Sequence, residues 1–549
     1  MARLRLIQFR AKIQRLPLFR LALLLILIGA LGLSWLADGY FNRGVASGAN
    51  LTPIPNTDVN PLGVNTLMND DDPATIDRTL DMVAAGGFTY VRQMFPWYAI
   101  EPVKDQFQWA QWDRIVAAAD ARHLELIVRL DKPPRWARAG QPNVDQVPDG
   151  PPNDDADYAR FVAAVVSRYR GKIHYIQIWN EPNLAGEWGG LPIDPARFAR
   201  LLETAYRAAK QADPAITVLL PGLAPTDAKG PDNLSDLTYL QDLYAAGAKN
   251  SFDIVSAMVY GYGYSPGDRR VSFDRDNFSR PIQTHEIMVR NGDGAKPVWA
   301  AEYGWVSLPK DWQGQPSPWG KPVSLKTQAE YLEQGYLRAQ KEWPWMGVMC
   351  VWDFRWPYDP SLPDQAGNPT RGFSLVNYDF TPNPAYTVLS QARSLLDRAY
   401  TGAYRADTRL IQHDDGWALA GTRLTAARDG ATLRIPFSGT RLDLLTSGDG
   451  GFAVTLDGQA RPAVPAGGRV TVAKGLSDGP HLLQLTARAG VPALDGFVVA
   501  RRPLSAWIFP YVYGALGVLI LLDLLGLARV LRRARRRRAL PVGQALAEH

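Results

Sequence analysis

Two glutamates of the chain stand just after short apolar runs. Glu181 follows the segment Ile-Gln-Ile-Trp-Asn, and Glu302 follows Val-Trp-Ala-Ala. Two carboxyl groups that face each other can act on one substrate bond, because one can donate a proton while the other stays ionised and attacks carbon. Cleavage of a glycosidic bond needs this pair of roles. The sequence therefore predicts acid and nucleophile chemistry on a sugar, provided that the fold brings the two side chains together.

The distance between the two carboxyl groups would decide the stereochemistry of such a reaction. A separation of about 5 Å lets the second carboxylate attack directly and retains the anomeric configuration. Either glutamate alone could instead be a strand-end partner in an ion pair. Because both follow apolar strands and both have Trp, Asn or Tyr as neighbours, we favour the catalytic interpretation, with Glu181 as acid/base and Glu302 as nucleophile.

The elements that must position these glutamates follow a regular pattern between residues 62 and 402. Short apolar runs alternate with longer amphipathic stretches, which is typical of parallel strands joined by crossover helices. Eight such units predict an α/β fold, a (β/α)8 TIM barrel, with a doubly wound open sheet as the alternative. Glu181 would end the fourth strand and Glu302 the seventh, across the barrel mouth from each other. The predicted strands are 62–65, 89–92, 124–130, 173–179, 216–220, 254–259, 298–301 and 347–352, and the predicted helices are 74–85, 109–122, 154–169, 195–211, 234–246 and 326–341.

Residues 403–503 have a different sequence pattern from the barrel region. Gly, Asp and Ser turns separate short segments in which apolar and polar residues alternate, for example 431–437 and 452–457. This pattern predicts a small all-β sandwich. Such a domain could bind glycans or act as a spacer, and we favour the spacer.

Two charge-poor apolar segments, 21–37 and 507–530, predict transmembrane helices that flank these domains. The first could also be a cleaved signal peptide, but we favour an uncleaved anchor. Asp523 interrupts the second segment, which weakens that prediction without removing it. Basic residues cluster in 1–20 and 531–549, so the positive-inside rule places both termini in the cytoplasm. The barrel, reached through a linker at 38–61, and the sandwich would then lie outside the cytoplasm, anchored in the cell membrane.

The charge distribution argues against a nucleic-acid-binding protein, and the cysteine count excludes a protein stabilised by disulfides within the chain. The net charge is +6, yet 13 of the 60 basic residues lie in the two terminal clusters or, as Arg529, just before the second, and acidic residues outnumber basic ones in the remainder. A nucleic-acid partner is therefore not expected for the body of the protein. Cys350 is the single cysteine, so a disulfide within the chain is impossible.

The motifs around the two glutamates resemble those of a known group of enzymes. WNEPN at 179–183 is similar to the acid/base motif of the glycoside hydrolase clan with (β/α)8 barrels and two strand-end glutamates, and AEYGW at 301–305 resembles its nucleophile strand. The resemblance covers about residues 60–400. The layout is most similar to family 39, with families 5 and 42 next. It implies a retaining hydrolase acting on a polysaccharide or oligosaccharide at the cell surface.

The resemblance also implies roles for four further residues. Asn180 would bind the 2-hydroxyl of the sugar, and Arg92 would keep the nucleophile ionised. Tyr260 would donate a hydrogen bond to Glu302, and Trp352 would form the floor on which the sugar stacks. Three of them also have a plainer interpretation: Arg92 as part of a surface Arg pair, Tyr260 as a loop Tyr and Trp352 as a core Trp.

Other aromatic residues near predicted strand ends are Trp97, Trp136, Trp305 and Trp319, which we expect either as sugar platforms or as core residues. One departure from the clan pattern concerns Met258, which stands where the clan often has His, two residues before the tyrosine. This departure bears on the family and substrate rather than on the reaction.

No cofactor and no metal site is expected. The six His lack metal-ligand spacing, and neither a phosphate-binding loop nor a serine nucleophile motif is present. The acidic run 70–72 is predicted to precede a helix N-terminus rather than bind calcium.

Two alternative functions stay open, a transglycosylase on the same scaffold and a catalytically silent glycan-binding subunit. The glycan, its linkage, protein partners and oligomeric state cannot be read from the sequence.

Overall fold

The computed structural model of the chain describes residues 2–48, 52–147 and 149–538. These residues form two compact units, one made of the chain up to residue 45 together with the chain from residue 502, and the other made of residues 46–501. The end of the basic tail predicted at 531–549 lies outside the described residues, from 539 onward.

The second unit begins with a barrel of eight parallel strands. Neighbouring strands pair in the order β5-β4-β3-β2-β1-β8-β7-β6. Parallel bridges from Leu219 to Ile254 and from Leu223 to Ala257 join the two ends of this order, so the sheet closes. The predicted (β/α)8 barrel is therefore confirmed. Its strands are β1 (Leu62–Thr66), β2 (Tyr90–Pro96), β3 (Glu125–Asp131), β4 (Tyr175–Ile178), β5 (Thr217–Leu219), β6 (Val255–Tyr260), β7 (Val298–Gly304) and β8 (Met346–Val351).

Helices surround the barrel and follow its strands in the chain. The acidic run 70–72 precedes one of them as predicted, because the Asp72 carboxylate caps its N-terminus by accepting from the Thr75 amide at 2.9 Å. Two helices, at 281–290 and 384–396, were not among the predicted ones. The helices of the chain are α1 (Ala2–Asn42), α2 (Pro73–Ala85), α3 (Trp97–Ile100), α4 (Ala110–Asp120), α5 (Asp155–Arg168), α6 (Pro195–Ala212), α7 (Asp236–Ala245), α8 (Pro281–Arg290), α9 (Leu325–Glu342), α10 (Pro363–Ala366), α11 (Pro384–Leu396) and α12 (Leu504–Arg538).

A β-sandwich follows the barrel in the same unit. One sheet has the order β10-β13-β18-β15-β16, and the other has the order β11-β12-β19-β14-β17 with β9 paired to β19. Buried and part-exposed positions alternate along strands such as β15, which explains the period-two pattern in the sequence. The strands are β9 (Gly402–Arg405), β10 (Gln412–His413), β11 (Trp417–Ala420), β12 (Arg423–Ala426), β13 (Thr432–Ser438), β14 (Arg441–Gly448), β15 (Gly451–Leu456), β16 (Gln459–Pro465), β17 (Gly468–Lys474), β18 (Pro480–Arg488) and β19 (Pro492–Ala500).

The sandwich contacts the barrel near the amino ends of the barrel strands. Thr408 donates to the Asp58 carboxylate at 2.9 Å, and Asp58 lies just before β1. Thr401 donates to the carbonyl of Lys341 at 2.9 Å, and Lys341 lies just before β8. Both contacts lie at the opposite end of the barrel from the carboxyl ends of the strands, an arrangement that favours the spacer role over direct participation in a site at the mouth.

The first unit consists of α1 and α12. Within them, Leu18–Asn42 and Leu504–Arg533 are long and apolar enough to cross a membrane, and both are almost entirely exposed, unlike the core helices of a soluble domain. The predicted segments 21–37 and 507–530 fall within these two stretches. The Asp523 carboxylate, which interrupts the second segment, accepts from the Arg20 guanidinium of α1 at 2.9 Å. Pairing of the two charges lowers the cost of placing either one among apolar side chains.

Candidate active site

Glu302 lies near the carboxyl end of β7 and is almost fully buried. One carboxylate oxygen, Oε1, accepts from Nη1 of Arg92 at 3.0 Å. The other, Oε2, accepts from the Tyr260 hydroxyl at 2.5 Å. The two contacts fix the orientation of the carboxylate, because each oxygen has its own donor.

Arg92, on β2, connects four strands through its guanidinium. Besides Glu302, it donates from Nη1 to the Asn65 amide oxygen at 2.7 Å, from Nε to Gln177 at 2.9 Å and from Nη2 to Asn180 at 3.0 Å. The carbonyl oxygen of Asn180 is thereby occupied, so its NH2 group is the part left to donate to a substrate. Sequence reasoning did not single out Asn65 or Gln177. The sequence signal that could have identified them was weak: each is a polar side chain at or near the end of an otherwise apolar strand.

Glu181 follows β4 and is partly exposed to solvent. Its backbone N–H donates to the Gly222 carbonyl at 3.1 Å, which ties this turn to the segment after β5. Burial of its carboxyl group raises the pKa of Glu181 well above its usual range, and the nearby negative charge of Glu302 raises it further. Glu181 is thus suited to keep a proton, whereas Glu302 is held by a cation and a hydroxyl donor.

An apolar layer lies beside the nucleophile candidate. It contains Met258, Tyr260 and Phe373, with Trp352 packed against it and half-buried. Met258 pairs in register with Glu302 across β6 and β7, so the position that often carries His in the clan is apolar here. The indole N–H of Trp352 is buried and has no hydrogen-bond partner among the described residues.

Of the four other tryptophans considered as sugar platforms or core residues, two lie in the core, and Trp319 is partly buried against the layer that contains Tyr260. Trp97 is fully buried and stacks on Phe161 at 5.2 Å, and Trp305 is buried with its indole N–H on the Tyr264 carbonyl at 2.7 Å. The expectation of sugar platforms is therefore wrong for Trp97 and Trp305, because both side chains pack in the core. Trp136 is partly exposed and donates to the Glu101 carbonyl at 3.1 Å.

Sequence reasoning also missed a set of charged residues on β3 and in the segments after β3 and β4. The Arg129 guanidinium lies 2.9 Å from Asp131, and the Lys132 ammonium lies 2.5 Å from Asp149. Burial raises the pKa of Glu187, which also lies close enough to Glu181 to raise the pKa of that acid. These residues add to the electrostatic environment of Glu181. No motif marked them, because their sequence neighbours differ and only the loops bring them together.

A further missed carboxyl group follows Trp352. Asp353 is fully buried and accepts from the Ser374 hydroxyl at 2.7 Å. Burial raises the pKa of Asp353 to about 7. A buried carboxyl group with one donor keeps its proton more readily than an exposed one, and this contact ties the turn after β8 to the segment around Phe373.

Part of the chain matches a known protein family in sequence. Residues 53–263 match the sequence model of the family described as cellulase (glycosyl hydrolase family 5). The match includes Glu181 and Arg92 but ends before Glu302. The match supports the glycoside hydrolase clan that the motifs resemble. The matching model is that of family 5, whereas the sequence layout resembles family 39 first and family 5 next. No curated protein matches the chain in sequence.

Several solved structures are similar to the chain, each below 20% identity. A family 39 glycoside hydrolase from Bacteroides cellulosilyticus WH2 is 19% identical, with 80% of this chain and 83% of that chain covered and a TM-score of 0.48. A glucosidase from Croceicoccus marinus is 16% identical, with 79% and 98% covered and a TM-score of 0.45. A GH5_18 protein from Streptomyces cattleya in complex with GlcNAc is 15% identical, with 63% and 82% covered and a TM-score of 0.46.

Proposed function

We propose that the protein is a glycoside hydrolase that cleaves a polysaccharide with retention of configuration, using Glu181 as acid/base and Glu302 as nucleophile. The match of residues 53–263 to the glycosyl hydrolase family 5 model supports this reaction class. The observation that carries the proposal is the unequal environment of the two carboxyl groups. Glu302 receives a guanidinium donor on one carboxylate oxygen and a hydroxyl donor on the other, which orient it for attack. Burial and the neighbouring carboxylate raise the pKa of Glu181, which favours its protonated form. Two carboxyl groups in unequal environments are what a glycosidase requires.

Each step of the proposed reaction can be assigned to a residue of the site. Glu181 protonates the leaving oxygen while Glu302 attacks the anomeric carbon, so the glycosidic bond breaks as a glycosyl ester forms. Glu181, now ionised, takes a proton from water, and the resulting attack on the ester releases the sugar and frees Glu302. The NH2 group of Asn180 is placed to bind a sugar hydroxyl, and Trp352 to contact the ring.

Two other functions share parts of this site. A transglycosylase differs only in the acceptor, a sugar hydroxyl in place of water. A silent glycan-binding subunit has no chemical need for a buried carboxyl group with a separate donor on each oxygen, and the contacts of Arg92 and Tyr260 with Glu302 therefore favour an enzyme. We retain hydrolysis as the proposed reaction.

The test of the proposed function is incubation of the full-length protein in detergent with defined glycans, followed by proton NMR of the first product formed. Hydrolysis with retained configuration at the new reducing end is expected. A first product of inverted configuration would contradict the retaining mechanism. Transfer of the glycosyl group to added oligosaccharide in preference to water would favour the transglycosylase.

Tyr260→Phe is expected to lower kcat/KM by roughly 10- to 100-fold, because a hydrogen bond to a charged group contributes about 1.5–3 kcal/mol. The variant removes only the hydroxyl that donates to Glu302 and keeps the ring that packs on Phe373 at 5.4 Å. Steady-state kinetics with an aryl glycoside measures the effect. Tyr331→Phe, on the outer helix α9, is the matched control and should retain activity; equal activity of both variants would show that Tyr260 does not act on the nucleophile.

We further propose that the barrel lies outside the cytoplasm, anchored by the two apolar helices, with both termini inside. The basic clusters at the outer ends of the apolar segments support this orientation. Protease added to intact cells, or to spheroplasts if an outer membrane is present, should digest the barrel and leave epitope tags at both termini intact. The tags should become sensitive only after lysis. Protection of the barrel until lysis would reverse the proposed placement.

A further inference from the structure

A large cavity lies between the loops that follow β7 and β8. Its volume is about 1190 Å³, and neither Glu181 nor Glu302 lines it. Cavities that hold small ligands usually measure about 300–1,000 Å³, so this one has room for more than a single sugar ring. The loops at the carboxyl ends of barrel strands are also the part of this fold that builds ligand sites.

The cavity shares a wall with the candidate active site. Gly372 and Ser374 line it, and Phe373 between them packs on the ring of Tyr260 at 5.4 Å. Ser374 also donates to Asp353, the residue after Trp352. A chain of sugars held at the two catalytic carboxyl groups would therefore need to extend only a short way to reach this cavity.

Three cations face this cavity, Lys310, Lys321 and Arg371. Among the residues that the structure describes, no carboxylate pairs with any of them, although ion pairs are frequent elsewhere in the barrel. The two lysines are exposed, and the Arg371 guanidinium stacks on the Trp312 ring at 5.1 Å. All three charges are therefore free to meet an anionic group.

Two carboxylates line the cavity, Asp359 and Asp379, and each accepts hydrogen bonds from a residue close to it in the chain. Asp359 accepts from the Ser361 amide at 2.8 Å, and Asp379 accepts from the amide and hydroxyl of Thr381 at 2.9 and 2.7 Å. These contacts stabilise local turns and lower the pKa of both carboxyl groups. Neither carboxylate forms an ion pair with any of the three cations, so the cavity lining carries three positive and two negative charges and is positive by one.

Aromatic rings complete the cavity. Trp312 and Trp356 are partly exposed, and Tyr358 and Tyr378 are exposed by 47% and 43% of their surface. Flat apolar rings pack against the faces of sugars, and their polar edges remain hydrated. Aromatic walls with unpaired cations are suited to a sugar chain that carries negative charge.

We propose that this cavity binds the part of an anionic polysaccharide next to the bond that is cleaved, with Lys310, Lys321 and Arg371 recognising acidic groups on the sugars. The proposal rests on the proposed function and adds the substrate class. Carboxylate of a uronic acid and sulfate ester offer the same charge to these cations, so the experiment compares both.

The test measures binding to the full-length Glu181→Gln protein in detergent, so that the probe is not consumed. The probes are cellohexaose, the hexamer of β-1,4-linked glucuronate and cellohexaose sulfated at O6. They share one backbone, chosen because the matching family model is that of a cellulase. At least one of the two acidic hexamers should bind more tightly than cellohexaose, by about tenfold or more. This difference in affinity should decrease as the salt concentration is raised.

The double substitution Lys310→Ala and Lys321→Ala should weaken binding of the preferred acidic hexamer by roughly five- to twentyfold, and change cellohexaose binding by less than about twofold. Lys172→Ala with Lys474→Ala removes the same charge from two exposed sites away from the cavity, the second on β17 of the sandwich, and is the control. Equal affinity for all three probes, failure of both acidic hexamers to bind at millimolar concentration, or equal loss in the control would each overturn the proposal.

The outcome separates this proposal from the proposed function. Charge-selective binding without hydrolysis by the wild-type protein would support the cavity and contradict the enzyme. Hydrolysis with retention but without charge selectivity would support the enzyme and contradict the cavity.

Discussion

Glu302→Ala is expected to reduce turnover by on the order of 10⁶-fold, the size of effect seen when a hydrolase loses its nucleophile. The physical reason is that the two-step path through a glycosyl ester cannot begin without the carboxylate that Arg92 and Tyr260 orient. Steady-state kinetics on an aryl glycoside measures the loss. Glu330→Ala, which removes an exposed carboxylate on the outer surface of α9, is the control and should retain activity.

Chemical rescue and trapping distinguish loss of the nucleophile from misfolding. Azide should restore part of the turnover of Glu302→Ala and give a glycosyl azide of inverted configuration, because the anion attacks from the space that the side chain has left. In the wild-type protein, a mechanism-based fluorosugar should label one peptide that contains residues 301–305, as detected by mass spectrometry. Release of an inverted product by the wild-type protein, with Glu302 unlabelled, would mean that water attacks directly and that Glu302 is a base.

Glu181→Gln should slow turnover by about 10²- to 10⁴-fold on a natural glycan, since the variant cannot protonate the leaving oxygen. A dinitrophenyl glycoside should be partly spared at the glycosylation step, because its leaving group departs without a proton. Kinetics on both substrates measures the difference. Equal loss on both would remove Glu181 from the acid role.

The pH dependence gives the same residue a second test. Because burial raises the pKa of Glu181, the free enzyme keeps this acid protonated at a higher pH than an exposed glutamate would allow. Activity on the natural glycan should fall as pH rises through that pKa, and this alkaline limb should be absent from glycosylation of the Gln variant by the dinitrophenyl substrate. Persistence of the limb in the variant would assign it to another group, of which Glu187 is the nearest candidate with a raised pKa.

Local pattern in the sequence was sufficient to predict the barrel. Apolar runs became strands within a few residues of the expected bounds, because burial on both faces of a parallel strand requires a nearly continuous apolar segment. The same logic placed Glu181 and Glu302 after the fourth and seventh strands, where the loops of the fold converge. Their catalytic roles remain predictions, as do the domain boundaries.

Tertiary structure alone decided which side chains meet at the mouth of the barrel. Asn65 and Gln177 became partners of Arg92 although they lie 27 and 85 residues away in the chain, and no periodicity records such a contact. Trp97 and Trp305 proved to be core residues, because a tryptophan near a strand end can turn either to the helix layer or to the mouth. The pKa of Glu181 and the unpaired cations of the cavity likewise depend on burial and on distances between loops. Sequence periodicity reports which face of an element is buried, whereas these properties arise from the way several elements pack around one point.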